Sequence, residues 1–314
     1  MPATRHDITF NNGNTQLAGH LWRPDDSDSG APRAAVVLAT PGSSVKEQIG
    51  ANYARRLTER GFVTLTFDPS FQGQSGGEPR DQEIPSVRTE DIRCAVDHLT
   101  TLPFVDAERL GLLGICAGGG YAVAAASTEY RVKALATVVP VNIGRARRAA
   151  GREAIHDMLE AVGAQRTAEA RGAGQKREPW IPDSLEEAHA AGITDRDVLD
   201  AVEFYRTPRG YNEHSTNRYY YTSLAPMIGF DAFHLVPDLL VQPLQVIVGG
   251  RKGTTPSYDD GEALFAMAPA SHDFHVVEGA GHYDMYDKPP FIDEAVDKLD
   301  RFFSRFLAAP AEAE

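Results

Sequence analysis

Five consecutive residues carry the strongest chemical signal in this chain: Gly114-Ile115-Cys116-Ala117-Gly118. A nucleophilic residue between small neighbours, set where an apolar strand turns into a helix, is the pattern of a nucleophile elbow. The sharp turn forces the central residue into an unusual backbone conformation, and Gly114, Gly118, Gly119 and Gly120 leave room for it. The side chain of Cys116 then projects above a sheet edge with a helix N-terminus aimed at it. That arrangement is expected to favour thiolate over thiol. The competing reading is a buried cysteine in a Gly-rich turn, and the placement between strand and helix favours the nucleophile. The other cysteine, Cys94, falls on a predicted amphipathic helix and reads as a structural core residue.

A nucleophile needs a base and an oxyanion site. His282, in Gly279-Ala280-Gly281-His282, follows the last predicted strand, so the chain order is nucleophile before histidine. One oxyanion donor is the N–H of Ala117, the residue after the nucleophile. The second comes from the loop Thr40-Pro41-Gly42-Ser43-Ser44, where Pro41 has no N–H. Gly42 or Ser43 remains, and Ser43 is preferred. The orienting acid is harder to place, because the loop 249–257 after the strand 244–248 contains no carboxylate. Asp260 is the candidate, although Ser257-Tyr258-Asp259-Asp260 also reads as a helix start with Ser257 as N-cap. Asp284 and Asp287, just after His282, are alternatives. So is a Cys–His dyad without an acid, since a free thiol ionises near ~8.5. Glu47 sits in the oxyanion-loop region and could contact Cys116 or polarise a water.

These residues must be positioned by a sheet. Residues 7–10 and 16–22 alternate polar and apolar around a turn and read as an antiparallel hairpin. Short apolar runs at 34–39, 62–67, 109–114, 132–141, 243–248 and 273–277 read as strands, most of them buried on both faces. Helical patterns fall at 51–60, 87–102, 119–130, 261–267 and 291–307. Strand–helix alternation implies a mostly parallel central sheet with helices on both faces. The alternation stops at about 144 and resumes at about 241. The predicted division is therefore a core of 1–143 and 241–314 interrupted by a mostly helical lid, 144–240, in which Ser184-Leu185-Glu186-Glu187 resembles a capping box. Trp180, Tyr205, Tyr211, Phe230 and Phe233 are the candidate substrate-lining residues of that lid.

Composition limits the partners. With 31 basic against 44 acidic residues the net charge is −13, which argues against a nucleic-acid or anionic-membrane partner. No apolar run approaches the ~20 residues of a membrane span. The N-terminus lacks the apolar segment of a signal peptide, and two cysteines make no disulfide framework. A cytoplasmic protein acting on a small-molecule acyl substrate is expected, and a homo-oligomer is left open. No metal or organic cofactor is expected, for want of metal-ligand spacing such as H-E-x-x-H.

Four stretches together resemble a known family: Val45-Lys46-Glu47-Gln48, Phe67-Asp68-Pro69-Ser70-Phe71-Gln72-Gly73, the elbow Gly114–Tyr121, and Gly281-His282-Tyr283-Asp284-Met285-Tyr286-Asp287. The chain is similar to the dienelactone-hydrolase-like branch of the α/β-hydrolases, near the bacterial YcjY-type hydrolases and fungal polyketide transferases. The resemblance implies an α/β-hydrolase fold. It also implies a Cys-His-Asp triad, of which Cys116 and His282 match and the acid has no clear counterpart. The long lid departs from the compact dienelactone hydrolases. The expected reaction is cleavage of an ester, thioester or lactone through an acyl-enzyme. Acyl transfer to an alcohol or amine, and a non-catalytic ligand-binding homologue, are the alternatives.

Overall fold

The described residues of the computed structural model are 2–25 and 31–309. The predicted hairpin is β1 (Ala3–Asn12) and β2 (Thr15–Pro24), paired antiparallel with Asn12 opposite Thr15. Gly13, at φ +54, makes the tight reversal between them. β3 (Arg33–Ala39), β4 (Val63–Phe67), β5 (Val105–Ile115), β6 (Val132–Val138) and, after the lid, β9 (Leu244–Gly249) and β10 (Ser271–Val277) complete the sheet. The order is β1-β2-β4-β3-β5-β6-β9-β10, with β2 antiparallel to β4 and every later pair parallel.

The connecting helices divide between the two faces. α1 (Ile49–Glu59) and α11 (Phe291–Phe306) cover one, with Ile292, Ala295, Val296, Leu299, Phe302 and Phe303 buried along the apolar side of α11. α2 (Pro85–Thr100), α3 (Ala117–Ala126) and α10 (Ser257–Met267) cover the other. α3 starts two residues earlier than its sequence pattern suggests. The glycines of its first turn are fully buried, so close packing compensates their weak helix propensity.

Between β6 and β9 lies the lid: α4 (Ile143–Arg148), α5 (Arg152–Ala170), β7 (Arg177–Pro179), α6 (Leu185–Ala190), α7 (Arg196–Arg206), β8 (Arg218–Tyr220), α8 (Leu224–Gly229) and α9 (Val236–Leu239). Ser184 caps α6 by accepting from the Glu187 N–H at 3.0 Å. The pairing of β7 with β8 was not foreseen, because three-residue strands leave no readable alternation. The lid is tied to the core by Arg209, which pairs with Asp287 at 2.7 Å and donates to the Tyr283 carbonyl at 2.8 Å. Among the described residues no helix is long and apolar enough to cross a membrane.

Candidate active site

β5 ends in the turn that carries Cys116, whose φ of 56° and ψ of −127° lie outside the ordinary regions for a side-chain-bearing residue. The turn is held by its own backbone. Cys116 N–H donates to Val138 at 3.1 Å, and its carbonyl accepts from Gly119 and Val141, each at 2.8 Å. Gly114, Gly118, Gly119 and Gly120 all leave no room for a Cβ. A Cβ at Gly114 would stand 2.6 Å from the Ala122 methyl, and one at Gly118 would overlap the Ala39 carbonyl. The elbow read from the sequence is thus present as a strained strand-to-helix turn.

His282 opens a 3₁₀ turn, His282–Tyr286, beyond β10. The Asp284 carboxylate accepts from the Gly281 N–H at 2.8 Å at its start. α1 fixes its end, with Tyr53 donating to the Met285 carbonyl at 2.8 Å and Asn52 to that of Tyr286 at 3.1 Å. Two polar neighbours meet the buried imidazole: Ser257 Oγ lies 2.9 Å from Nδ1, and the Tyr286 hydroxyl 3.2 Å from Nε2. The same hydroxyl faces the Cys116 thiol, where its hydrogen bond favours the thiolate. The polar chain therefore runs Ser257–His282–Tyr286–Cys116.

Burial governs the charges along this chain. It pushes the Cys116 thiol up to about 11, against smaller opposing effects of the Tyr286 hydroxyl and the Ala117 N–H. It pulls His282 down to about 3. Both directions run against the expected thiolate: desolvation outweighs the Tyr286 and Ala117 hydrogen bonds at Cys116, and it favours the neutral form of thiol and imidazole alike. Cys94, half-buried against the core, is also raised to about 11, chiefly by desolvation.

None of the candidate carboxylates meets His282. Asp260 is buried one helical turn into α10 and accepts from the Asn142 N–H at 2.8 Å and from Arg145 at 3.2 Å. It anchors the start of the lid, and Ser257 occupies the place at Nδ1 instead. Asp284 is engaged by Gly281, Arg251 at 2.7 Å and Lys288 at 2.9 Å, and Asp287 by Arg209. Glu47 pairs with the buried Lys46 at 2.7 Å and approaches His20 at 3.7 Å, so it braces the oxyanion loop away from the thiol.

That loop reaches the site as predicted. Ser43, at φ +58, and Ala117 both border the cavity beside Cys116. Arg88 donates to the Thr40 carbonyl at 2.6 Å, and Ser215 of the lid to that of Ser43 at 2.8 Å. The cavity has a volume of about 310 Å³. Of the five candidate lining residues, Trp180 and Tyr205 line it. Tyr211 is exposed at the surface, while Phe230 stacks near Tyr121 and Phe233 is buried in the core beneath the lid. Sequence reasoning missed Ser257, Tyr283, Tyr286, Arg147 and Asp197. The i, i+4 spacing of His282 and Tyr286 was a readable signal for the last partner of the histidine. Tyr283 follows the histidine directly, whereas Ser257, Arg147 and Asp197 come from other segments.

A strained cysteine elbow, a buried histidine after the last strand and a lidded cavity at the sheet's edge define a hydrolase-type site. Residues 36–295 match the alpha/beta hydrolase family, and the chain belongs to it. The Escherichia coli (strain K12) protein YcjY is 37% identical over 309 residues, covering 96% of this chain and 98% of that one. The crystal structure of the Pseudomonas aeruginosa protein PA2218 superposes with a TM-score of 0.88 at 32% identity, over 97% and 94% of the two chains. The thiohydrolase aneE of Aspergillus aculeatus is 25% identical across 80% of this chain and 79% of its own.

Proposed function

We propose that this protein is a cysteine-nucleophile acyl hydrolase that cleaves a thioester or ester through an acyl-enzyme. The observation that carries the reading is the strained Cys116 elbow facing a buried His282 through the Tyr286 hydroxyl. Similarity to a thiohydrolase supports the thioester branch. The residue roles follow from where protons can go. Cys116 Sγ attacks the carbonyl while its proton passes to the Tyr286 oxygen, and the Tyr286 proton passes to His282 Nε2. The N–H groups of Ala117 and Ser43 receive the developing oxyanion. Collapse of the tetrahedral species expels the alcohol or thiol, which takes the proton back along the same chain. Water then repeats the sequence on the acyl-enzyme and releases the acid. Ser257, at Nδ1, holds the ring in position and is a positioning residue.

The test is intact mass of the protein after brief exposure to a panel of acyl esters and thioesters, with and without an alcohol acceptor. An acyl adduct on Cys116 that decays to free acid is expected. Turnover without an adduct in wild type, retained in Cys116→Ala, refutes the reading. Ester product with the alcohol would move the assignment to acyl transfer.

A further inference from the structure

Two charged side chains border the cavity, Arg147 and Asp197. They stand in different electrical situations. Asp197, at the start of α7, accepts from the Thr255 N–H at 2.8 Å and is largely buried. The side chain of Arg147, in the last turn of α4, has no hydrogen bond and no carboxylate partner among the described residues. Its guanidinium lies instead over two aromatic rings, 5.3 Å from the centroid of Trp180 and 5.5 Å from that of Tyr219.

The neighbours on the same short helix make the contrast. Arg145 pairs with Asp260, and Arg148 donates to the carbonyls of Ile228 and Phe230 and pairs with Asp231. The acidic group near Tyr219, Glu178, is itself paired with Lys176 at 2.9 Å. Trp180 is held in place by its own N–H bond to the Arg218 carbonyl at 3.2 Å. Contact with the two rings leaves the guanidinium N–H groups without a hydrogen-bond acceptor, and those groups match a carboxylate or phosphate. A half-buried, unpaired cation beside an otherwise largely apolar cavity is costly unless a ligand supplies the countercharge.

We propose that Arg147 is an anion-recognition subsite, and that the substrate carries a carboxylate or phosphate which it binds while the carbonyl lies at Cys116. The proposal rests on the acyl-hydrolase reading of the same site. The anionic oxygens have two sources, a carboxylate ending the acyl chain or a phosphate on a thiol leaving group.

Two comparisons separate them. The first sets 4-nitrophenyl half-esters of dicarboxylic acids of increasing length against 4-nitrophenyl esters of monocarboxylic acids of equal size. The second sets an acyl-coenzyme A against the N-acetylcysteamine thioester of the same acyl group. Wild type is expected to prefer the anionic member of one pair by about tenfold or more in kcat/KM. Arg147→Gln should erase that preference through KM and leave the neutral member within about threefold. No preference in either pair, or one that survives Arg147→Gln, overturns the proposal. If no ester or thioester acylates Cys116, the acyl-hydrolase reading fails by itself. Calorimetric binding of dicarboxylate half-amides and of coenzyme A to wild type and Arg147→Gln then decides the subsite: weaker binding of either to the variant supports it, and equal binding of both refutes it.

Discussion

Alkylation of Cys116 as a function of pH tests the electrostatics of the site directly. With the thiol pushed up to about 11, the thiolate fraction at pH 7.5 is about 3 × 10⁻⁴, against about 0.1 for a free cysteine. That is a deficit of about 300-fold. A more basic thiolate is also a better nucleophile, by roughly tenfold over this interval at a Brønsted slope of ~0.4–0.5. The net expectation is iodoacetamide labelling about 30-fold slower than free cysteine at pH 7.5. Peptide mass mapping in a Cys94→Ala background, from pH 6 to 10.5, gives the rate at Cys116 alone. The rate should climb about tenfold per pH unit with no plateau until near the top of the range. Limited access through the lid would lower all rates equally and leave the slope unchanged, so the slope is the decisive quantity. A rate that is already flat between pH 6 and 8, and equal to or above that of free cysteine, would demonstrate a thiolate–imidazolium pair and refute the burial argument.

Further outcomes follow from the same geometry. Cys116→Ser should fold normally but lose about 10²–10⁴-fold in kcat/KM, lying nearer Cys116→Ala than wild type, because no carboxylate assists His282 in deprotonating a hydroxyl. Ser257→Ala should lower kcat more than Asp260→Asn, which acts on the lid anchor at Asn142 and should appear mainly as lost stability; the reverse order of kcat would restore Asp260 to the mechanism. Tyr286→Phe should slow acylation about 10²-fold or more with KM little changed, and unchanged single-turnover acylation would show that Cys116 and His282 exchange protons directly. His282, buried neutral, should make the protein acid-sensitive. Its folded value of about 3 lies below the unfolded 6.5, so the unfolded chain binds more protons between them and stability falls as pH drops through that window, by about 2–3 kcal/mol at pH 4.5. Urea unfolding of His282→Gln should show a correspondingly shallower loss between pH 7 and 4.5, and an identical slope would contradict the assignment.

What the sequence made legible was what is local. The elbow could be read because its demands fall on five adjacent residues, and Gly114 and Gly118 are dictated by contacts that no side chain could survive. The parallel strands could be read because burial on both faces leaves a continuous apolar run at β3 and β-branched, mostly apolar stretches at β4 and β9. The break in alternation marked the long insertion between β6 and β9, but the arrangement inside it was not legible. Tyr211 and Phe233 are both aromatic residues outside the lid's helices, and only the tertiary packing sends one to the surface and the other into the core. Asp260 failed as the acid for a similar reason. Sequence places it a few residues from the expected loop, whereas the helix rotates it away toward Asn142 and brings Ser257 round to His282.

The neutral polar chain also explains why a lid belongs with this nucleophile. In an open, hydrated site a cysteine without a carboxylate behind its histidine would rest as an ordinary thiol near ~8.5, exposed to alkylation and oxidation. Tyr205 and Tyr286, packed edge to face at 6.1 Å, and Tyr283 beside them line the cavity at Cys116, and the desolvation they contribute to raises the cost of either charge appearing alone. Under the proposed mechanism charge would separate only when a carbonyl occupies the cavity. At that point the Ala117 and Ser43 N–H groups stabilise the oxyanion, and the oxyanion provides the countercharge that the imidazolium lacks at rest. On this argument the missing acid is no defect of the site. Under the proposed mechanism burial would hold the thiol neutral until substrate arrives, and Tyr205 of the lid with Tyr283 and Tyr286 of the core would belong to the chemistry as much as Cys116 and His282.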